Sequence, residues 1–494
     1  MATKTLTELI TALTNLLTPS APTNPKLSGE TRTESDFLGE RKIPGELYCG
    51  LQTIRAVENF QISGKTLKDF PYLINALAYI KKAAAIANTE LKLMPKEICG
   101  AICKACDEII AGQFHEQFIV DLIQGGAGYS TNMCANEVIA NRALEHLGKP
   151  KGDYATINPN DHVNLAQSTN DVYPSALHIA FLCYNKDVVA SLTKLAESFR
   201  KKSKEFSNII KVGRTQLQDA VPMTLGQEFG AFANTLEAEV ENLNCAASWF
   251  TDINIGGTAI GTGLNCHHKY PELCVKELTK MTGLKLSVAK DLVEATSDTS
   301  CFVTYSSAIK RLAVKLSRIC NDLRLLSSGP RAGFGDINLP KMQPGSSIMP
   351  GKVNPSIPEF VNQACFKVFG NDTTITFAAE ATQLQLNVME PVIAESLHES
   401  MHYMISAMDT LRELCIDGIT ANAEKCCDMV LHNISIVTAL NPVIGYKMGA
   451  EIAKEALETG KGVYELVLEK NILDKETLDR ILNPESMCNF NIKS

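Results

Sequence analysis

The chain has 494 residues, of which 45% are hydrophobic and 21% charged, and 47 Lys and Arg against 55 Asp and Glu give a formal net charge of -8. This acidic balance, without a basic block, argues against nucleic acid as a partner. No apolar run is long enough to cross a bilayer, so a soluble protein without a membrane partner is predicted. The length predicts two or three domains or one elongated scaffold.

Sixteen cysteines without a secretory signal predict reduced thiols in an intracellular compartment. Cys103 and Cys106 form one CxxC inside a helical pattern, where helix packing is favoured over zinc or redox chemistry. Cys266-His267-His268 lacks partners at ligand spacing. No metal site is predicted.

Residues 1–29 stand apart as an extension, with a short amphipathic helix from Leu6 to Leu17 and a proline-containing linker after it. A transit peptide is weakly supported, because arginine is absent and Glu8 interrupts the apolar face. A cytoplasmic protein is therefore predicted, with mitochondrial targeting by the extension left open.

Helical patterns dominate the rest of the chain. They cover residues 72–110, 221–250, 301–328, 358–380 and 395–419. The third is the most regular, since its apolar residues alternate spacings of three and four: Phe302, Tyr305, Ile309, Leu312, Leu316, Ile319, Leu323 and Leu326. This repeat predicts a straight helix of roughly 40 Å packed in a bundle. Such a stripe is too long for one compact domain, so oligomerisation is inferred.

The stretch 345–355, GSSIMPGKVNP, suits neither helix nor strand. Its glycines permit unusual backbone angles and its prolines fix direction, so Ser346, Ser347, Lys352 and Asn354 can be presented to a ligand. A helix predicted after Pro355 adds positive potential at its N-terminus. A phosphate loop is excluded, because Val353 stands where that motif needs Ser or Thr.

Two further segments interrupt the helical texture. The first, 124–133, carries three glycines followed by hydroxyl residues, and the second is the tetrapeptide Ser168-Thr169-Asn170-Asp171 ahead of a helix. Helix capping explains one residue of that tetrapeptide but not four. Both are therefore candidate ligand loops.

A serine, a lysine and clustered hydroxyls can remove a proton next to a carboxylate and expel a group from the adjacent carbon. The doubly negative enediolate that forms needs several preorganised donors. Serine is a base only where loop N–H groups and positive charge favour its alkoxide, which explains Ser346 among Gly and Pro near Lys352.

These motifs, together with GRTQLQDAVPMTLGQEF at 213–229, resemble the aspartase and class II fumarase superfamily, and the resemblance covers roughly residues 30–490. It implies an all-α fold with a long central helical bundle between smaller helical domains. The predicted segments are the extension 1–29, an N-terminal domain 30–170, a central bundle 171–418 and a C-terminal domain 419–494.

The resemblance implies a role for each matching residue. Ser346 would be the general base. Ser347, Ser168 and Thr169 would hold the reacting carboxylate, while Lys352 and Asn354 would hold the other one. Asn170, Thr215 and Gln216 would lie near the leaving group. The family usually has threonine at Tyr129 and asparagine at Cys134, so the phenol of Tyr129, or the hydroxyl of Ser130 or Thr131, would replace that contact.

Gln216 separates the possible substrates. Class II fumarases carry a histidine there, and a glutamine cannot shuttle a proton at neutral pH. The expected reaction is reversible, non-oxidative deamination of L-aspartate to fumarate and ammonia. Alternatives are a fumarase acting on malate, a lyase for a bulkier succinyl compound, and a silent structural member of the superfamily.

The resemblance also implies an assembly. A homotetramer is expected, with each site built from three subunits and with a small molecule as substrate. No metal or organic cofactor is required by the expected chemistry, and Mg²⁺ is a candidate activator.

Overall fold

The structure is a computed structural model that describes residues 30–483 and 487. The predicted extension 1–29 lies outside the described residues. Helices dominate what is described, which confirms the all-α class. No helix among these residues is both long and apolar enough to cross a membrane.

The helices are numbered in chain order. They are α1 Leu51–Asn59, α2 Pro71–Glu90, α3 Lys96–Ile110, α4 Tyr129–His146, α5 Thr169–Glu205, α6 Leu225–Ala247, α7 Tyr270–Thr282, α8 Glu294–Ser297, α9 Ser300–Leu326, α10 Ser356–Glu380, α11 Glu390–Leu414, α12 Ala423–Leu431, α13 Asn441–Ile444, α14 Tyr446–Thr459, α15 Val463–Glu469 and α16 Lys475–Ile481.

The strands form short two-stranded sheets. They are β1 Thr31–Asp36 with β2 Gly39–Pro44, β3 Ile210–Thr215 with β4 Gln218–Thr224, β5 Asp252–Ile253 with β6 Ser287–Val288, and β7 Ile337–Asn338 with β8 Thr420–Ala421. The β5–β6 pair is parallel and the other three are antiparallel.

The chain divides into two compact units. Unit 1 comprises Met1–Ala180, Thr251–Asp298 and Thr382–Pro391, and unit 2 comprises Phe181–Phe250, Thr299–Ala381 and Val392–Ser494. Helices α5 and α11 each continue from the sequence of one unit into that of the other. The four-segment division of the sequence stays a prediction.

In unit 2, the regular apolar pattern at 301–328 forms α9, and all eight of its apolar positions are buried. Helix α9 packs against α6 and α10. Helix α6 begins with a capping box in which the Thr224 hydroxyl accepts the Gln227 N–H at 3.0 Å and the Gln227 side chain accepts the Thr224 N–H at 2.9 Å. The predicted helix packing in this region is confirmed. The premise that this stripe is too long to be buried without neighbouring subunits is wrong, because all eight side chains are already buried within one chain.

In unit 1, the pattern at 72–110 forms two helices, α2 and α3, rather than one. The break follows from Lys92, whose φ is +62°, and from Pro95, which cannot donate a helical hydrogen bond. The CxxC lies within α3, as predicted, with Cys106 fully buried. The cysteines of the described residues are unpaired by disulfides.

Candidate active site

The Ser346 loop lies in unit 2 between β7 and α10, and its own backbone closes it. The Gly345 N–H donates to the Lys352 carbonyl at 2.7 Å, and the Asn354 side-chain amide donates to the Gly345 carbonyl at 2.7 Å. A side chain at Gly345 would place a Cβ 2.7 Å from the Asn354 nitrogen, so only glycine fits. The loop is therefore a closed turn that leaves Ser347 and Lys352 exposed.

The Ser346 hydroxyl oxygen accepts two backbone N–H groups of its own loop, from Ile348 at 3.2 Å and Met349 at 2.9 Å. Donors of this kind stabilise an oxygen that gains negative charge. Ser346 is half-buried, whereas Ser347 and Lys352 are exposed. The geometry fits a serine whose alkoxide form is favoured locally.

Thr215 and Gln216 lie at the tip of the β3–β4 hairpin in unit 2. The pair Thr215–Gln218 closes a two-residue turn in which Gln216 has φ +55° and Leu217 has φ +61°. Two non-glycine residues in the left-handed region store backbone strain, which clusters at functional sites. Thr215 and Gln216 are exposed, so the tip presents both side chains outward.

Buried charges hold the base of this hairpin. Asp336 is fully buried and accepts from Arg214 at 2.7 Å, while the Lys211 ammonium lies 3.1 Å from Asp336 and 2.6 Å from Glu228. The Arg214 guanidinium also lies 4.2 Å from the Phe334 ring centroid. Paired buried charges are costly to break, so the hairpin is firmly anchored. Sequence reasoning missed this network, because its members are far apart in the chain.

The glycine loop, residues 124–133, lies in unit 1 and continues into α4. Gly128 has φ +84°, and a Cβ there would lie 2.3 Å from the buried Tyr173 ring. Ser130 and Thr131 are buried in α4, and the Thr131 Oγ1 atom has no hydrogen-bond partner. Tyr129 is 46% exposed and donates to Gln52 Oε1 at 3.3 Å, and burial raises the pKa of its phenol. Of the three candidates, only Tyr129 is accessible.

The tetrapeptide 168–171 lies at the start of α5, and hydrogen bonds between its own residues hold its conformation. The Ser168 N–H donates to Asp171 Oδ1 at 2.9 Å, and the Asn170 N–H donates to the Ser168 hydroxyl at 3.2 Å. These two bonds cap the helix, as the capping explanation expects. The Asn170 side-chain amide donates to the Ala259 carbonyl at 2.7 Å.

Asp171 anchors this tetrapeptide from inside. Its Oδ2 atom accepts the N–H groups of Gly256 at 2.9 Å and Thr258 at 3.1 Å, and the side chain is fully buried. Burial raises the pKa of the Asp171 carboxyl to about 6, although the three backbone N–H bonds favour its charged form. Asp171 therefore holds Ser168 to Asn170 in place and is itself inaccessible to a ligand.

Unit 1 thus brings the glycine loop and the tetrapeptide together. The Asn132 amide of α4 donates to the Thr169 hydroxyl at 3.1 Å. Behind Asn132 lies Lys81 of α2, which is also fully buried. Sequence reasoning missed Lys81, although a signal exists: Lys81 lies on one buried helical stripe with the apolar residues Ile74, Leu77 and Ala84.

The chain is similar to known lyases along most of its length. Residues 39–370 match the family described as lyase, and residues 436–489 match the one described as fumarase C C-terminus. Aspartate ammonia-lyase of Pseudomonas aeruginosa is 56% identical over 92% of this chain and 97% of the relative. The enzyme of the same name from Escherichia coli is 53% identical over 93% of this chain and 97% of the relative.

Solved structures are similar over the same length. A fumarate lyase/delta crystallin of Brucella melitensis, bound to cobalt, has a TM-score of 0.91 and 55% identity, with 93% of this chain and 100% of that chain covered. A class II fumarase of Schistosoma mansoni has a TM-score of 0.88 and 35% identity, with 93% and 99% covered. The chain therefore belongs to the aspartase and class II fumarase superfamily of lyases.

Proposed function

We propose that this carbon–nitrogen lyase catalyses the reversible, non-oxidative deamination of L-aspartate to fumarate and ammonia. The observation that carries the proposal is Gln216 at an exposed, strained hairpin tip, where class II fumarases carry a histidine. The 53% and 56% identity to aspartate ammonia-lyases over more than nine-tenths of the chain agrees with it.

Ser346 removes a proton from the substrate carbon next to a carboxylate. The electron pair left behind is spread over that carboxylate as an enediolate, and its collapse forms the double bond as ammonia leaves the neighbouring carbon. The N–H groups of Ile348 and Met349 support the alkoxide before proton transfer. No step of this sequence needs an electron acceptor.

The other predicted residues surround that reaction. Ser347, Ser168 and Thr169 hold the reacting carboxylate, and Lys352 with Asn354 holds the second one. Asn170, Thr215 and Gln216 contact the leaving ammonia, and Tyr129 replaces the family threonine at the glycine loop, with Ser130 and Thr131 behind it. The exposure of Tyr129, Gln216 and Lys352 supports this assignment, since each side chain is available to a ligand.

A homotetramer completes each site, with loops from three subunits. Two observations within unit 2 support this proposal. The Gln216 tip and the Ser346 loop both present polar side chains outward. Helix α10 also exposes three phenylalanine rings, Phe360 at 44%, Phe366 at 58% and Phe377 at 70%. Aromatic residues are enriched at protein interfaces.

We further propose a cytoplasmic location and catalysis without an organic cofactor. Mg²⁺ is kept as a proposed activator only. Between residues 30 and 483 no three His, Cys, Asp or Glu side chains gather as metal ligands, so no residue set is assigned to Mg²⁺ and no step depends on it.

The test follows fumarate by its ultraviolet absorbance after L-aspartate is added to purified protein, with malate as the parallel substrate. Fumarate release from L-aspartate, with at most slow release from malate, is expected. Activity with malate alone identifies a fumarase. No activity with either substrate identifies a silent structural member, an alternative whose main support is the Tyr129 replacement and against which the retention of Ser346, Lys352 and Asn354 argues.

A further inference from the structure

Unit 1 contains a cluster of side-chain amides around one buried lysine. The Lys81 ammonium donates to Asn132 Oδ1 at 2.7 Å, to Asn164 Oδ1 at 2.9 Å and to Gln167 Oε1 at 2.9 Å. An ammonium has three donor positions, and all three are used here. The acceptors are all neutral amides, and Lys81 has no exposed surface.

The lysine fixes which way each amide points. Because an ammonium only donates, Asn132 must turn its oxygen toward Lys81 and its NH₂ group away. That NH₂ group donates to the Thr169 hydroxyl oxygen at 3.1 Å and to Asn164 Oδ1 at 3.1 Å. The Thr169 oxygen is therefore an acceptor from Asn132, and its own proton stays available for another acceptor.

We propose that Lys81 is a positioning residue that acts through Asn132, orienting the Thr169 hydroxyl so that it donates its proton to the reacting carboxylate of the substrate. The inference rests on the proposed function, which places Thr169 at that carboxylate. It adds two points: the Thr169 hydroxyl donates to the substrate carboxylate, and the charge of Lys81 sets that direction.

The cost of the arrangement supports a functional reason for it. Burial lowers the pKa of Lys81 to about 7, opposed by the buried Asp171 carboxylate, which favours the charged form. A buried cation among neutral groups is unfavourable, and an apolar side chain would fill the position at lower cost. A cation also polarises the amide that it contacts, which strengthens the N–H donated to Thr169.

Asn132→Asp tests the direction of the relay, the two hydrogen bonds from Lys81 to Asn132 and from Asn132 to Thr169. A carboxylate still accepts from Lys81, now as an ion pair, but it cannot donate to Thr169, so the hydroxyl proton turns toward it. We expect a folded protein in which kcat falls by about 10²-fold, while KM for L-aspartate and Kd for succinate rise by less than about 10-fold. The larger effect falls on kcat because the enediolate carries more charge than the bound substrate.

Thr169→Val supplies the second arm of a double-mutant cycle. In that background Asn132→Asp has no hydroxyl to redirect, so it should change kcat by less than about 2-fold. Lys81→Met should lower kcat in the wild-type background in the same way. The matched control is Lys82→Met, on the same helix, whose ammonium pairs with Asp107 at 2.5 Å; it should keep wild-type kcat.

Two results overturn the proposal: wild-type kcat in Asn132→Asp, or an equal loss of kcat from this substitution with and without the Thr169 hydroxyl. Failure of the proposed function is distinguishable, because wild-type protein would then release no fumarate from L-aspartate. Calorimetric binding of succinate still reports the cycle in that case, and additive changes in Kd would overturn the relay.

Discussion

The Ser346 loop of unit 2 and the tetrapeptide 168–171 of unit 1 carry similar polar residues in opposite settings. The first is closed by two bonds at its own base, and Ile348 in it is 84% exposed. The second is anchored by Asp171 and backed by Lys81, both fully buried. The difference indicates that the tetrapeptide is preorganised by buried groups, whereas the Ser346 loop is held by its own backbone and lies open to solvent.

Ser346→Ala should produce the largest effect. Removal of a general base lowers the rate about 10² to 10⁴-fold, so kcat should fall by at least about 10²-fold while assembly is unchanged. Initial rates of fumarate formation and light scattering measure the two quantities. The exposed Ser35→Ala is the control, and near-normal turnover in Ser346→Ala would remove Ser346 as the base.

Glu390→Gln tests how much a buried carboxyl of unit 1 lowers the free energy of unfolding. Glu390 is buried at the start of α11 with Oε2 unpartnered, and burial raises its pKa to about 8. The folded pKa lies above the unfolded one, so the native state holds a proton that the unfolded state has lost between about pH 4.5 and 8. Stability is therefore lost as the pH rises through this window.

The wild-type thermal midpoint should fall from pH 5 to pH 8 relative to that of Glu390→Gln, with a difference in unfolding free energy on the order of 2–4 kcal/mol at the upper end. Differential scanning calorimetry at each pH measures it. Exposed Glu97→Gln should follow the wild type, and parallel curves for Glu390→Gln and the wild type would contradict the raised pKa.

Two glycines offer a direct comparison of the loops. Gly128 and Gly351 have φ values of +84° and +81°, but only at Gly128 does a new Cβ meet another group, the Tyr173 ring. Gly351→Ala should cost about 1 kcal/mol of stability from backbone strain alone. Gly128→Ala should cost at least about 2 kcal/mol more, because the buried ring must move. Thermal unfolding of both variants measures the difference, and equal costs would show that the glycine loop yields as easily as the Ser346 loop.

Gln216→His should have the smallest effect on rate. The imidazole replaces an uncharged amide near the leaving ammonia, so kcat/KM for L-aspartate should fall about 10-fold, and release of fumarate from malate should become measurable. Gln218→His places the same ring two residues away, at the first position of β4, and should change the activity with neither substrate. If Gln216→His keeps full activity with L-aspartate, Gln216 does not select the leaving group.

The sequence by itself determined the helices and the residues on the loops. Periodic apolar positions are a local property, which is why all eight on α9 are buried as predicted. The turn chemistry of Gly345 and the hydroxyls at 168–169 was likewise readable from neighbouring residues. Only the tertiary structure decided what lies behind them: Lys81 against three amides, Asp336 against Lys211 and Arg214, and Gly128 against Tyr173. These contacts join residues far apart in the chain, and the local pattern around each one is the same whether or not its partner is present.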